Sequence, residues 1–164
     1  MPTGSDVVNV VIAGLGGQGV IKASDILAEV AFRAGHDVKK SELHGMSQRG
    51  GSVSSDVRFG NKVWSPMVPF GCADYLVVLS SDQLEVNRHV LKKNGVTLPA
   101  ELVDVSRLGS PRCVNVALLG ALSTHLEFTE GLWNAAIRSG FPEKLHEMNI
   151  MAFQLGRMST KTAQ

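Results

Sequence analysis

Two short glycine-rich stretches hold most of the chemistry this 164-residue chain could perform. The first, Gly14-Leu15-Gly16-Gly17-Gln18-Gly19, fits the pattern G-x-G-x-x-G. Glycines at those spacings let a backbone turn tightly. A helix starting directly after them would aim unpaired N–H groups and its positive dipole end at an anion. The chemistry on offer is the holding of a phosphate, a nucleotide or a phosphorylated cofactor. The structural alternative is that the glycines only let a helix pack closely on a sheet. The second stretch is His44-Gly45-Met46-Ser47-Gln48-Arg49-Gly50-Gly51. Arg49 could grip a phosphate or carboxylate through two parallel hydrogen bonds. Ser47 and Gln48 could add neutral ones, and Gly50 and Gly51 would admit a ligand or a partner backbone. Equally, Arg49 could pair with a carboxylate of another subunit, which would make the stretch an interface.

Self-sufficient catalysis is not legible. The sequence has no G-x-S-x-G elbow, no H-E-x-x-H and no Walker lysine, because Lys22 stands three residues past Gly19. The five histidines show no helical metal-ligand spacing, and His44 has no evident acidic partner, so it is not assigned as a general base. Cys72 and Cys113 are far apart and form no Cys-x-x-Cys unit, so neither a disulfide framework nor a cluster site can be read from them. Glu42 lies at about the spacing at which an acidic residue would hold a ribose, which keeps a free-standing NAD-binding oxidoreductase as the rival reading. Asn115 is read as a helix–loop tie, and Met148, Met151 and Phe153 as core.

The elements that must position these residues follow from periodicity. Residues 7–13, VVNVVIA, suit a central strand buried on both faces. Ile21, Ala23, Ile26, Leu27, Val30 and Ala31 make one face of a helix over 20–34 that Gly35 closes. Residues 37–43 return to extended character and deliver the second stretch at a strand's carboxyl end, where open α/β sheets bind ligands. Over 52–59, Val53, Val57 and Phe59 alternate with Ser52, Ser54, Asp56 and Arg58, and Gly60-Asn61 predicts a tight hairpin into 62–65. A buried strand follows at 75–79, then a helix over 81–93 ended by Gly95, with Leu84, Val90 and Leu91 inward. Strand-like runs at 96–98 and 102–105 have only Pro99-Ala100-Glu101 between them, whereas parallel neighbours need about a dozen connecting residues. Either the two are antiparallel or not neighbours, or a connection is missing. Helices are expected at 111–126, 130–139 and 142–158, punctuated by Thr129 and Gly140, with 159–164 as a frayed tail. The expected fold is α/β: a Rossmann-like three-layer domain over 1–164, with a mostly parallel sheet, a β-hairpin insertion and a helical C-terminus.

Sixteen Lys+Arg against fifteen Asp+Glu give a net charge of +1, without a long block of like charge and with few aromatics. Nucleic acid is therefore not an expected partner. Apolar runs such as 75–79 are too short to span a bilayer and the N-terminus lacks the layout of a signal peptide, so a cytoplasmic protein without membrane contact is expected.

Taken together, VIAGLGGQGV at 11–20, SELHGMSQRGGSV at 41–53, VRFG into VWSP at 57–66 and ADYLVVL at 73–79 resemble the γ-type subunit of 2-oxoacid:ferredoxin oxidoreductases. SPRCVNVALLGAL at 110–122 and PEKLHEMNIMAFQLGR at 142–157 resemble that family's C-terminal helices, and HGMSQRGGS is most similar to the indolepyruvate branch. The resemblance implies a complex that oxidatively decarboxylates a 2-oxoacid to an acyl-CoA and reduces ferredoxin. Thiamine diphosphate, magnesium and iron–sulfur clusters would be held by other subunits, with coenzyme A handled near this one. It also implies that the isolated chain is inactive alone and could pair with itself. The cofactor-binding set it carries over is Gly14, Gly16, Gly17, Gln18, Gly19, His44, Ser47, Gln48, Arg49, Gly50 and Gly51, with no catalytic residue and no metal ligand. Members of the family carry a longer segment between the runs near Val96 and Val103.

Overall fold

The computed structural model describes residues 6–45 and 51–162. Strand β1, Val8–Leu15, lies at the centre of a five-stranded sheet with the order β2-β3-β1-β4-β5. The others are β2 Asp37–His44, β3 Ser52–Gly60, β4 Ala73–Val78 and β5 Leu91–Pro99. β1 pairs in parallel with β4 and β4 with β5, whereas β3 is antiparallel to both β1 and β2. Four strands thus point one way, as expected, and β3 alone is reversed. The β-branched run of β1 serves two faces: Val10 and Ile12 enter the main core, and Val11 and Ala13 a smaller cluster behind the sheet. Each valine or isoleucine of that run taken fully out of water contributes on the order of 1.5–3 kcal/mol.

The hairpin expected across Gly60-Asn61 does not form. Both edges of β3 are taken by β1 and β2, which leaves no edge for 62–65 to pair with. The hairpin is β2–β3 instead, with Asp37 opposite Gly60 and His44 opposite Val53. Its alternation follows the sequence, for Val53, Val57 and Phe59 all enter the main core.

Helix α1, Val20–Arg33, follows the glycine turn and ends as expected: Gly35 adopts φ 92°, and the Gly35 and His36 amides donate to the Phe32 and Ala31 carbonyls. The helix expected over 81–93 is shorter. Gln83–Asn87 forms α2, Arg88–Val90 is one 3-10 turn, and Leu91 already belongs to β5, where pairing with β4 overrides local helix propensity. Leu84, Val90 and Leu91 still face inward, against the smaller cluster. The run at 102–105 is not a strand: 3-10 turns at Ala100–Leu102 and Val105–Arg107 carry the chain off β5. With one strand there instead of two, the short connection poses no topological difficulty.

The helical C-terminus comprises α3 Val114–Ser123, α4 Glu130–Gly140 and α5 His146–Thr162. Thr129 caps α4, its hydroxyl accepting from the Leu132 amide. Residues 115–123 of α3 are buried all round, because α5 packs across α3 on the side away from the sheet. The crossing is close: a Cβ on Gly156 would overlap the Ala117 carbonyl, and one on Gly120 the Phe153 carbonyl. Residues 159–162, expected to fray, continue α5, and the Ser159 and Thr160 hydroxyls donate to the Leu155 and Arg157 carbonyls. Phe153 is core and Met148 half-buried, but Met151 is exposed, since its side of α5 faces away from α3. No helix among the described residues is long and apolar enough to cross a membrane.

Candidate functional site

The first glycine stretch forms the turn between β1 and α1. The Gln18 side chain folds back to close it, its Oε1 accepting from the Leu15 amide at 2.7 Å, while the Gln18 amide donates to the Leu15 carbonyl at 3.1 Å. Gly17 and Gly19 adopt φ 88° and 83°, a region costly for side-chain-bearing residues. Gly19 is the N-cap of α1 and offers no side-chain acceptor, and the first turn of the helix contains no acidic residue. The positive end of that dipole is thus not answered by the helix's own first turn. Asn115, at the start of α3, donates from Nδ2 to the Gly19 carbonyl at 3.1 Å and accepts at Oδ1 from the Val116 amide at 2.9 Å. It is a helix–loop tie, as the sequence reading has it.

The second stretch is the tip of the β2–β3 hairpin. Met46, Ser47, Gln48, Arg49 and Gly50 lie outside the described residues. The flanking residues locate the tip: the Gly45 amide donates to the Ser52 carbonyl at 2.6 Å, and Ser52 pairs with Leu15 at the end of β1. One step further, the Gly16 amide donates to the Gly51 carbonyl at 2.9 Å. The reversed direction of β3 therefore brings the ends of the two glycine stretches together at the carboxyl end of β1. Between them lies an open depression of about 390 Å³ lined by Leu15, Gly16, Gly17, Gly19, Val20, Ile21, His44 and Val53.

His44 is not without an acidic neighbour, contrary to the sequence reading: Glu42 Oε2 lies 3.8 Å from its Nε2, because alternate residues of β2 share a face. Glu42 also contacts Lys40 at 3.2 Å. It does not line the depression, and β3 intervenes between its strand and β1. A dinucleotide fold instead sets the ribose-binding acid on the strand beside β1.

A second depression, about 370 Å³, opens on the other side of the turn between Gly17, Gln18, Leu79, Ala100, Val105, Pro111, Arg112 and Val114. Arg112 is the cation the sequence reading missed. It follows Ser110-Pro111, a cap residue and a first-turn proline, and that pair was a signal that Arg112 stands at a helix entrance. Its guanidinium makes no ion pair among the described residues. Lys22 points elsewhere, donating to the Gly140 carbonyl at 2.7 Å with the Phe141 ring 5.3 Å away. Among the described residues no three His, Cys, Asp or Glu side chains gather as a metal site. Cys72 is exposed, and Cys113 is buried in the main core, where desolvation raises its thiol above the ordinary range. The arrangement suits the binding of an anionic group by backbone amides, a helix end and a guanidinium.

Residues 9–104 match the family model described as pyruvate ferredoxin/flavodoxin oxidoreductase. The chain is 35% identical to the indolepyruvate oxidoreductase subunit IorB of Thermococcus kodakarensis, covering 93% of this chain and 96% of that protein. That alignment runs over 195 positions, more than this chain has residues, so the relative carries positions without a counterpart here. Among solved structures, the γ subunit of a keto/oxoacid ferredoxin oxidoreductase from Geobacter sulfurreducens superposes with a TM-score of 0.79 at 23% identity, over 96% of this chain and 98% of that one. A 2-oxoglutarate:ferredoxin oxidoreductase from Magnetococcus marinus, solved with 2-oxoglutarate, coenzyme A and succinyl-CoA bound, superposes with a TM-score of 0.80 at 21% identity. The match covers 97% of this chain but 32% of that one.

Proposed function

We propose, on the premise that the chain belongs to the pyruvate ferredoxin/flavodoxin oxidoreductase family, that it is the γ-type subunit of a cytoplasmic 2-oxoacid:ferredoxin oxidoreductase. The complex oxidises a 2-oxoacid of the arylpyruvate class to CO2 and an acyl-CoA, with the electrons passing to ferredoxin. Thiamine diphosphate, magnesium and iron–sulfur clusters belong to its other subunits. This chain, one domain over 1–164, contributes a wall of the coenzyme A site and no catalytic group.

The carrying observation is the Gly16–Gly51 hydrogen bond, which joins the two glycine stretches into one surface. Coenzyme A is a fitting ligand for such a surface because its phosphates and its extended body need many weak donors over a length rather than one deep cavity. Gly14, Gly16, Gly17, Gln18 and Gly19 belong to the turn on one side, and His44 and Gly51 border the other; Ser47, Gln48, Arg49 and Gly50 are assigned to the same site by their sequence, with Arg112 across the turn.

The test compares the purified chain alone with the chain joined to its thiamine-diphosphate subunit, measuring arylpyruvate- and coenzyme-A-dependent reduction of a viologen dye. Activity is expected only from the pair. Full activity from the lone chain would sink the proposal.

A further inference from the structure

β2 is the last strand on its side of the sheet, so one of its edges is open. The pairing on its other side decides which groups that edge presents. The Gly45 amide donates to the Ser52 carbonyl, and the ladder continues in one register to Asp37 opposite Gly60. Hydrogen-bonded and non-bonded pairs alternate along an antiparallel ladder, so Asp37, Lys39, Ser41 and Leu43 turn their amides and carbonyls toward β3. Those of Val38, Lys40, Glu42 and His44 point outward, and such a row is a template for another strand. The opposite edge of the sheet is blunted: β5 bulges between Leu91 and Val96 and ends at Pro99, which has no N–H. β2 has neither device. Apolar side chains also stand exposed on both of its faces. Lys40 contacts Asp25, which sets that side of α1 over β2, and Phe32, two turns further along the same side, is 69% exposed. Leu43, on the face of β2 away from α1, is 71% exposed.

We propose that β2 pairs with β2 of a second copy of this chain, antiparallel about a two-fold axis through Ser41, so that two sheets become one. This does not depend on the subunit reading above. Residues directly opposite in a ladder share a face, so a two-fold axis between identical strands must pass where a residue meets its own copy. An axis at Lys39, Lys40 or Glu42 sets like charges directly opposite each other, which is destabilising. An axis nearer either end leaves only a short run of β2 paired. The axis at Ser41 pairs the whole span 38–44 and turns all four outward-facing residues into hydrogen-bonded pairs, Val38 with His44 and Lys40 with Glu42 of the other copy. It also sets Lys39 opposite Leu43, whose exposed side chain the lysine's aliphatic stem can cover. Lysines in an edge strand commonly keep other strands away. Here Glu42 stands at the spacing that makes the strand complementary to itself, which is what selects a second copy as the occupant. Lys40 already holds Asp25 and Glu42 of its own chain, so the register is decided by which charges meet and not by a missing partner.

Sedimentation equilibrium of the full chain measures the dimer constant, with the melting temperature of each variant as the control for folding. The wild-type chain is expected to sediment as a dimer. Glu42→Pro removes an outward amide without touching the ladder to β3, and should weaken the dimer at least about tenfold. Lys40→Glu alone and Glu42→Lys alone each place like charges opposite one another, and each should weaken it in the same sense. Mixed together, the two charge variants should associate again, because every charge then meets its opposite in both halves. Met151→Ser on α5 should leave the constant unchanged. A wild-type chain that stays monomeric at its highest soluble concentration would overturn the proposal. So would a dimer that Glu42→Pro leaves as tight as before, by placing the contact on another surface. Charge variants that associate no better mixed than apart would overturn it too, since the register through Ser41 requires the exchange.

Discussion

The Gly16 amide donates to the Gly51 carbonyl, so the turn after the first strand and the start of the returning arm of the β2–β3 hairpin are one hydrogen-bonded unit. In hydrogen-exchange mass spectrometry or NMR, the Gly16 amide should be protected together with the β1–β3 ladder, while the Gly17 amide exchanges quickly. Equal, rapid exchange at both would mean that the two stretches move independently.

Gly19 combines a left-handed backbone with a crowded site, where an added Cβ would meet the Asn115 side chain. Gly19→Ala should therefore destabilise the fold by at least about 2 kcal/mol, lowering the melting temperature by roughly 4–8 °C. Asn115→Ala removes the obstructing amide. The double variant should then lose less than the two single variants combined; strict additivity in thermal melts would show that the overlap does not matter.

Arg112 faces the turn across a depression and lacks an acidic partner among the described residues. A guanidinium–phosphate contact contributes about 1.5–3 kcal/mol. In the assembled enzyme, Arg112→Ala should raise the KM for coenzyme A about tenfold or more with a small effect on kcat, and Arg112→Lys should recover part of the loss. Arg49→Ala should act in the same sense. An unchanged KM in both variants, with assembly intact, would leave the chain a scaffold.

Asp56 is half-buried, and desolvation raises its carboxyl above the ordinary value despite the opposing pull of the Val68 amide and Arg58. A carboxyl raised on folding favours the folded state below its unfolded pKa and loses that contribution as pH rises through the folded pKa. Asp56→Asn keeps an acceptor for the Val68 amide and removes the charge. Its melting temperature relative to wild type should climb as pH rises from below 3.8 and level off once pH has passed the raised carboxyl's titration. A difference that narrows over that range would contradict the assignment.

Much of this was legible in residue patterns, for reasons that also explain the failures. The buried strand 7–13, the helix face from Ile21 to Ala31 and the alternation over 52–59 are local, and the structure keeps all three. What failed was pairing. Gly60-Asn61 has good hairpin chemistry, but the sequence around it cannot disclose that both edges of β3 are already occupied. The run 88–93 has helical composition, yet its last residues complete an edge strand beside β4. At the site, the two glycine stretches could be named from their residues. Their meeting depends on β3 running backwards, which no short-range pattern encodes. Arg112 was missed because a lone arginine after Ser-Pro gains significance only from what lies opposite it.

That reversed strand also makes the hairpin an adjustable ruler. Lengthening β2 and β3 by one residue each would flip the tip's side chains, whereas adding two to each keeps every facing intact and advances the tip by about 6.6 Å. The base remains clamped by β1 throughout. Reach toward a bound ligand can therefore change in discrete steps without touching the core.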